Sequence, residues 1–283
     1  MPPAIFTDRQ AKTIGRRYQA GESSSALAVS FRCDKTTITN YLEKLGIARR
    51  GVSEASRIYS LDEKVFSRVR KSSAGAYWVG FIMADGCLHK RRYSHLLSVA
   101  VSERDKVILE SLRWFLGSNQ PIQVIKDKRG YEPMATLAVA SHRIVADLAK
   151  YGIVERKSFS AKVCARLALS ADFWRGVVDG DGWLGWGSSQ KRKIPVLGLV
   201  GSSQMMEQFS VFVKTVAGFS PSVKRMHSIW KVIICGRAAV AVASFLYLRD
   251  GPSLSRKKRL AMELIRWRPA PSSPWSKTAR VVA

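Results

Sequence analysis

The sequence predicts an α+β protein in which a small all-α domain precedes two pseudo-symmetric halves, each with the element order αββαββα. Short helices with capping residues account for the first 50 residues. Beyond residue 72, one pattern of helices and strands occurs twice, and 96 residues separate its two Asp-Gly motifs. A net charge of +26 on a chain with 46% hydrophobic residues indicates folded domains that bind a polyanion, most commonly nucleic acid.

Three helices are predicted in the first domain, residues 1–50. Apolar residues recur at intervals of three and four along 8–19, which is the spacing of an amphipathic helix. Ser24 can cap a second short helix, and Asp34 can cap a third that ends at Gly46. Two short helices joined by about three residues form the helix-turn-helix pattern. This segment resembles the helix-turn-helix domains of resolvases and invertases.

The third predicted helix carries the candidate DNA-binding residues of this domain. Its exposed face has short polar and basic side chains that can reach base edges and phosphates. These residues are Lys35, Thr36, Thr37, Thr39 and Asn40. A three-helix packing module without DNA contact is the alternative, and the charge of the chain favours DNA binding.

Two segments outside the repeated region are predicted to lack a core of their own. Residues 51–72 are polar and basic, which is typical of a linker with at most one short helix, starting at Asp62. Residues 269–283 are rich in proline and serine and are expected to be disordered. The repeated region between them divides into halves at 73–160 and 161–268.

Each half opens with a helix that carries a row of small residues. A small residue stands at every fourth position of one helix face, as Gly80 and Ala84 in the first half and as Gly176 and Gly180 in the second. Rows of this kind let two helix backbones approach closely. The sequence therefore predicts that the two motif helices pack directly against each other.

Asp85 and Asp181 fall at the C-terminal ends of these two helices. A carboxylate is unfavourable there, because this end of a helix already carries partial negative charge. When the helices pack side by side, both carboxylates and both negative helix ends converge, and divalent cations are needed to compensate them. The pattern predicts a metal site next to Gly86 and Gly182, which we expect in the left-handed conformation that ends many helices.

The same order of elements follows each motif: a basic cluster, strands, a helix ending at glycine, further strands, a second helix and an Arg-Lys pair. In the first half the pattern predicts strands at 96–101, 122–125 and 135–139 and helices at 106–115 and 144–151. In the second half it predicts strands at 196–200, 223–225 and 231–234 and helices at 205–216 and 238–248.

The two basic clusters are predicted to lie in loops between paired strands, where they can contact phosphates or guanine edges. They comprise Lys90, Arg91, Arg92, Lys191, Arg192 and Lys193. A solvated, disordered loop tip is the alternative, and the net charge favours contact with DNA.

Residues 75–265 resemble the LAGLIDADG homing endonucleases in their single-chain form, through the paired Asp-Gly motifs, their spacing, the strand order and the late Arg-Lys pairs. The resemblance implies a saddle of strands that grips the major groove of DNA. It implies that Asp85 and Asp181 bind metal, and Gly86 and Gly182 complete the candidate ligand set. It also implies that Lys157 and Lys257 act near the metal-bound water.

One position departs from the family pattern. Met83 stands at the sixth motif position of the first half, where the family usually has aspartate, whereas Asp179 keeps the aspartate in the second half. That position is not a metal ligand in the family, so we expect catalysis to survive. The asymmetry of the halves implies a non-palindromic target. Glu103 and Ser203 are the nearest matches to the family's water-orienting polar residues.

The activity that the resemblance implies is hydrolysis of one phosphodiester bond in each DNA strand, giving a staggered double-strand break. The cofactor would be Mg²⁺ or another divalent cation such as Mn²⁺. Double-stranded DNA is the expected partner of a monomer with internal pseudo-twofold symmetry. Two alternatives share the fold: a catalytically silent DNA-binding transcriptional regulator, and an intron RNA maturase. Silent regulators on this fold typically lose the motif acids, so the presence of Asp85 and Asp181 disfavours that alternative. The sequence does not distinguish an endonuclease from a maturase.

The remaining features predict a cytoplasmic protein that associates with the nucleoid in a bacterial or phage setting. Its four cysteines are scattered without a CxxC pair, which is typical of reduced thiols. The longest apolar run, 238–248, is too short to cross a bilayer. Cys87, His89 and His95 lie close together in the sequence, but no second group of ligands stands at the spacing of a zinc site, so they are not predicted to bind zinc. The ends of the chain lack intein splice-junction residues, which favours a free-standing or intron-borne gene of a mobile element.

Overall fold

The computed structural model describes residues 6–49, 58–90, 94–126, 130, 132–155, 161–189 and 192–269. The chain divides into two compact units, Met1–Ile58 and Tyr59–Ala283. In the described part of the chain, no helix has both the length and the apolar character needed to cross a membrane. Apart from Pro269, the predicted disordered tail lies outside the described residues.

Over residues 6–49 the first unit contains three helices: α1 (Asp8–Gln19), α2 (Ser24–Ser30) and α3 (Lys35–Lys44). Their apolar faces enclose a small core around Ile14, Leu27, Ile38 and Leu42. Periodicity therefore placed all three helices correctly, and Gly46 with φ of +67° ends the third as expected. The helix-turn-helix assignment itself stays a prediction.

The caps of the first unit differ in detail from the prediction. Ser23, rather than Ser24, caps α2 and accepts a hydrogen bond from the backbone N–H of Ala26. Asp34 stands at the N-cap of α3, but its side chain makes no capping hydrogen bond. Thr7 is the N-cap residue of α1, and it forms a reciprocal capping box with Gln10.

The second unit begins earlier than the predicted linker allows. Residues Val65–Lys71 form a 3₁₀ helix rather than a helix starting at Asp62. Phe66 and Val69 from this helix are fully buried in the main core. The Asp62 backbone N–H also donates to the carbonyl oxygen of Leu116 at 2.8 Å. The linker prediction for 51–72 is wrong over residues 59–71, because two apolar residues suffice to anchor a short, polar segment.

Within the described residues, the first half of the second unit comprises three α-helices, a short 3₁₀ helix (Glu103–Asp105) and one four-stranded antiparallel sheet. The helices are α4 (Ser73–Asp85), α5 (Lys106–Phe115) and α6 (His142–Ala149). The strands are β1 (Gly86–Lys90), β2 (His95–Ser102), β3 (Gln123–Ile125) and β4 (Met134–Ala140). The strands lie in the order β1-β2-β4-β3.

In the described part of the second half this arrangement recurs with one more α-helix. The helices are α7 (Ala171–Asp181), α8 (Ser203–Ala217), α9 (Gly236–Tyr247) and α10 (Ser255–Ile265). The strands are β5 (Gly182–Ser189), β6 (Arg192–Gly201), β7 (Val223–Met226) and β8 (Ile229–Cys235). They lie in the order β5-β6-β8-β7, all antiparallel. The predicted α+β class and the two-half element order are confirmed.

One continuous core runs through both halves and is centred on the two motif helices. Trp78 in α4 and Trp174 in α7 stand at equivalent positions and are fully buried. Alternate residues of each central strand, such as Leu97 and Val99 in β2, point into this core. Because β1 and β5 each begin directly after a motif helix, the core that holds the helices also positions the Asp-Gly pairs.

Candidate active site

Helices α4 and α7 are in direct backbone contact. A methyl group on Gly80 would overlap the carbonyl oxygen of Phe173 and lie 3.1 Å from the amide nitrogen of Val177. A methyl group on Gly176 would overlap the carbonyl oxygen of Tyr77. Only glycine permits this separation, so the predicted close approach of the two helices is confirmed.

The contact brings the C-terminal ends of the two helices together, and with them the predicted acids. Asp85 is the last residue of α4 and Asp181 the last of α7. A methyl group on Gly180, next to Asp181 in the chain, would overlap Cβ of Ala84 and lie 3.2 Å from Oδ2 of Asp85. The Asp85 carboxylate therefore lies against the last turn of the helix that carries Asp181.

Lys257, in the first turn of α10, is buried beneath this last turn of α7. Its Nζ donates to the carbonyl oxygens of Val178 at 2.7 Å, Asp179 at 2.6 Å and Gly182 at 2.6 Å, with Gly180 further away at 3.3 Å. These carbonyls lie where α7 ends and β5 begins, and the last carbonyls of a helix lack their regular partners; that of Val178 also accepts from the backbone N–H of Gly182. The ammonium group satisfies them and compensates the negative helix end.

The environment of Lys257 shifts its acidity. Burial lowers the pKa of the Lys257 ammonium to about 8, and the neighbouring Arg256 acts in the same direction. The negative charges of Asp179, Asp85 and Asp181 oppose this shift of the pKa. Both predicted acids are thus close enough to act on one buried ammonium. The role of Lys257 at the site stays a prediction, and its hydrogen bonds to the helix end were not foreseen from the sequence.

Gly86 and Gly182 are required for a reason other than the predicted one. Both are extended, with φ of −81° and −96°, so the prediction of a left-handed conformation is wrong. A methyl group on Gly86 would lie 2.6 Å from the carbonyl oxygen of Ile82, and one on Gly182 would lie 2.7 Å from that of Val178. The chain turns from helix into strand so tightly that a side chain would collide with the preceding helical turn.

The donor set suits a hard divalent cation. Two carboxylates at adjoining helix ends supply anionic oxygen ligands of the kind that Mg²⁺ prefers, and Mg²⁺ keeps several waters of its own. The described ranges contain no group of three or more His, Cys, Asp and Glu side chains suited to a metal ion. The carbonyl of Gly182 accepts a hydrogen bond from the Lys257 ammonium. The ligand roles of Gly86 and Gly182 stay predictions.

A cleft of about 460 Å³ opens beside the site and is lined mainly by α10 and the start of β5. Arg256, Lys257 and Arg259 line one side of it, together with Glu263. Arg256 also forms an ion pair of 2.9 Å with Asp105 of the first half. The excess of positive charge suits the approach of a phosphate group.

Asp179 anchors a buried polar network that the sequence did not reveal. Its carboxylate accepts hydrogen bonds from the hydroxyls of Tyr77 at 2.8 Å and Tyr247 at 2.7 Å and from the backbone N–H of Leu254 at 2.8 Å. Burial raises the pKa of Asp179, against the effect of these hydrogen bonds. Burial also raises the pKa of both tyrosines well above its ordinary value, so both hydroxyls remain donors. The partners are 68 to 102 residues away in the chain, beyond the reach of any local pattern.

The predicted basic clusters are only partly described. Lys90 ends β1, and its backbone N–H donates to Oε1 of Glu155 at 2.6 Å. Arg192 and Lys193 lie in β6, opposite Ser189 and Ser188, rather than in the predicted loop. The hairpin is longer than expected because glycine-rich β5 extends to Ser189. The predicted residues Arg91, Arg92, Lys191 and Lys157 lie outside the described residues.

Helix α3 presents most of its predicted DNA-binding residues to solvent. Lys35, Thr36 and Asn40 are exposed, and Thr37 is half-buried. The hydroxyl of Thr39 instead donates to the carbonyl oxygen of Thr36 at 2.9 Å, so it is bonded within its own helix.

Comparison with known proteins supports the fold. No family model and no curated protein matches the sequence. The solved structure of the homing endonuclease I-WcaI bound to its DNA recognition sequence is similar, with 15% identity and a TM-score of 0.51 over 70% of this chain and 87% of that chain. The LAGLIDADG meganuclease I-AabMI bound to uncleaved DNA is 13% identical, with a TM-score of 0.47 over 69% of this chain and 89% of that one. The similarity to I-WcaI shows that this chain has the LAGLIDADG homing endonuclease fold over the matched part, and at 15% identity it shows the fold alone.

Proposed function

We propose that this protein is a DNA endonuclease that depends on a divalent cation and makes a staggered double-strand break at a long, non-palindromic site. The observation that carries the proposal is the meeting of Asp85 and Asp181 at the ends of two helices in backbone contact. Two carboxylates beside two negative helix ends carry more negative charge than the single Lys257 ammonium neutralises, which favours a divalent cation between them. A net charge of +26 supports nucleic acid as the partner.

The residues of the chain have separate roles in this proposal. Asp85 and Asp181 would hold Mg²⁺ or Mn²⁺, with water and phosphate oxygens completing the coordination. When bound, such a cation lowers the pKa of the attacking water and offsets charge on the leaving 3′ oxygen. Lys257 holds the turn at Gly180–Gly182 in place and contributes positive charge beside both acids. Lys157 is proposed as its counterpart in the first half.

DNA binding is proposed to use both units of the chain. The basic residues near the β1–β2 and β5–β6 hairpins would contact phosphates or guanine edges. The exposed face of α3, with Lys35, Thr36 and Asn40, would bind DNA that flanks the cleavage site. Tethering the two units raises the local concentration of each at the DNA, so the first unit adds affinity more than chemistry.

The test starts with a cleavable duplex. Purified full-length protein is incubated with Mg²⁺ and a pool of host-genome or randomised duplexes, and the cleaved ends are sequenced to obtain the site. We expect cutting of that duplex to stop in EDTA and in the variants Asp85→Asn and Asp181→Asn, which should still bind. Asp250→Asn, an exposed position, is the matched control and should cut at the parental rate.

Three results would contradict the proposal. Cutting by Asp85→Asn at the parental rate under saturating enzyme would show that the metal assignment is wrong. Specific binding of DNA without cleavage in any divalent cation would identify a silent regulator. Binding and splicing of an intron RNA without DNA cleavage would identify a maturase.

A further inference from the structure

The hydrogen-bond network around Asp179 distinguishes the two halves. The residues 96 positions away from Asp179 and Tyr77 are Met83 and Phe173, and neither can make the corresponding hydrogen bonds. Tyr151 is the first-half equivalent of Tyr247, and its hydroxyl donates to the carbonyl oxygen of Phe66 at 3.2 Å instead. The polar network of the second half is therefore replaced at these positions by apolar side chains and a different hydrogen bond.

The network connects the elements that surround Lys257. The Asp179 carboxylate joins α7 to Tyr247 at the end of α9 and to Leu254 at the N-cap of α10. The backbone carbonyl of Asp179 accepts a hydrogen bond from Lys257 Nζ at 2.6 Å. One residue thus holds both the start of the helix that carries the lysine and the ammonium group itself. Asp181 is only two residues further along α7.

We infer that Asp179 is a positioning residue for one of the two cleavage events, namely that of the DNA strand whose cleavage depends on Lys257. This inference rests on the proposed endonuclease function. Weakening the network should displace α10 and Lys257 relative to Asp181 while leaving the side chains around Met83 in place. The enzyme would then cut one strand more slowly than the other and accumulate nicked DNA.

The ratio of the two strand-cleavage rates distinguishes a positioning role of Asp179 from a merely structural one. Loss of global stability lowers the amount of active protein and slows both strands alike. A local displacement at Lys257 changes the ratio, which is measured on the same molecules and is independent of how much protein has folded. The ratio therefore serves as its own control.

The experiment uses the full chain and a duplex with a different fluorophore on each strand, under single-turnover conditions with Mg²⁺. Lys257→Met identifies the strand that depends on the lysine. We expect Asp179→Asn to slow cleavage of that same strand by about tenfold relative to the other strand. Tyr247→Phe should slow cleavage of the same strand. The reason is that each variant weakens hydrogen bonds whose loss corresponds to about a tenfold change in rate. Tyr151→Phe, the equivalent change in the first half, should leave the ratio at the parental value.

The outcomes separate the two proposals. If the parental protein cuts neither strand, the endonuclease function is wrong. If it cuts both strands and Asp179→Asn slows them equally, slows neither, or slows the opposite strand from Lys257→Met, the positioning role is wrong. Should Asp179→Asn fail to fold, Tyr247→Phe and Tyr77→Phe each remove one hydrogen bond and keep the carboxylate, and an unchanged ratio in both variants overturns the inference.

Discussion

Gly176 lies directly against Gly80 across the contact between α4 and α7: a methyl group on Gly176 would be 3.1 Å from the carbonyl carbon of Gly80 and 2.7 Å from the amide nitrogen of Phe81. Neither backbone can move aside without disturbing the core around it. We expect Gly176→Ala to lower the free energy of unfolding by about 3 kcal/mol, since overpacking a rigid contact forces the backbones apart. Urea denaturation of the purified variant measures this change.

Gly185→Ala is the matched control for that substitution. Apart from its two chain neighbours, no heavy atom of the described residues would lie within 4 Å of a methyl group on Gly185, so the unfolding free energy of this variant should stay within about 0.5 kcal/mol of the parental value. Equal stability of the two variants would show that the helices are not in close backbone contact.

Lys257 should contribute to stability as well as to activity, because four carbonyl oxygens at the end of α7 share its ammonium group. Lys257→Met keeps the aliphatic stem but removes the ammonium donor from these acceptors. We expect a loss of about 2–4 kcal/mol in unfolding free energy, measured by urea denaturation. Lys258→Met, one position further along α10, should change it by no more than about 0.5 kcal/mol. Similar values for both variants would mean that Lys257 does not hold the helix end.

Helix α3 should contribute specific DNA contacts beyond the general charge of the chain. Lys35→Ala and Lys12→Ala each remove one exposed cation, from α3 and α1 respectively. For a duplex that extends beyond the cleavage site, we expect Lys35→Ala to weaken binding more. Lys35→Ala should also make the slope of log K against log salt concentration shallower, by about the contribution of one phosphate contact. Fluorescence anisotropy over a range of salt concentrations provides both values, and equal effects of the two variants would exclude α3 as the recognition helix.

His95 and His142 stack with their ring centroids 4.0 Å apart. Burial lowers the pKa of His95, and the positive charges of His142 and Lys90 act in the same direction. We therefore expect His142→Ala to raise the pKa of His95, as measured by NMR titration of the four histidines in the chain. The remote substitution His227→Asn should leave the pKa of His95 unchanged. No rise in His142→Ala would mean that the two rings do not interact in solution.

The same pKa shift has a consequence for stability. Because the pKa of His95 in the folded protein lies below its ordinary value of 6.5, protonation favours the unfolded chain. This contribution to stability is present above pH 6.5 and is lost as the pH falls through the lower, folded value. Urea midpoints between pH 7 and pH 5 should therefore decrease less in His142→Ala than in the parental protein.

The parts of the fold that the sequence predicted are those encoded by local periodicity. Helix α5 has the predicted bounds 106–115, because Ile108, Leu109 and Leu112 form one apolar face and Gly117 with positive φ follows its end. Strand β5 received no predicted range, because Gly185 and Gly187 have low strand propensity. Its pairing with β6, rather than its own residues, makes it a strand.

The candidate site was predictable in its acids and not in their surroundings. Asp85 and Asp181 were recognisable because the same Asp-Gly ending occurs twice at the end of a glycine-containing helix. The burial of Asp179 was not, because a carboxylate at that position fits equally well on an exposed helix surface. Phe66 and Val69 illustrate the same limit, since two apolar residues in a polar segment give no periodic signal.

Chain order and side-chain chemistry alone thus specified two similar halves, three preceding helices and a pair of carboxylates at helix ends. Tertiary structure decided which donors reach those ends: Lys257 binds the carbonyls of α7, and two tyrosines from different halves share Asp179. The reason is physical. Helices and strands form from residues a few positions apart, whereas a buried charge is stable only where distant segments bring it enough hydrogen bonds to replace water.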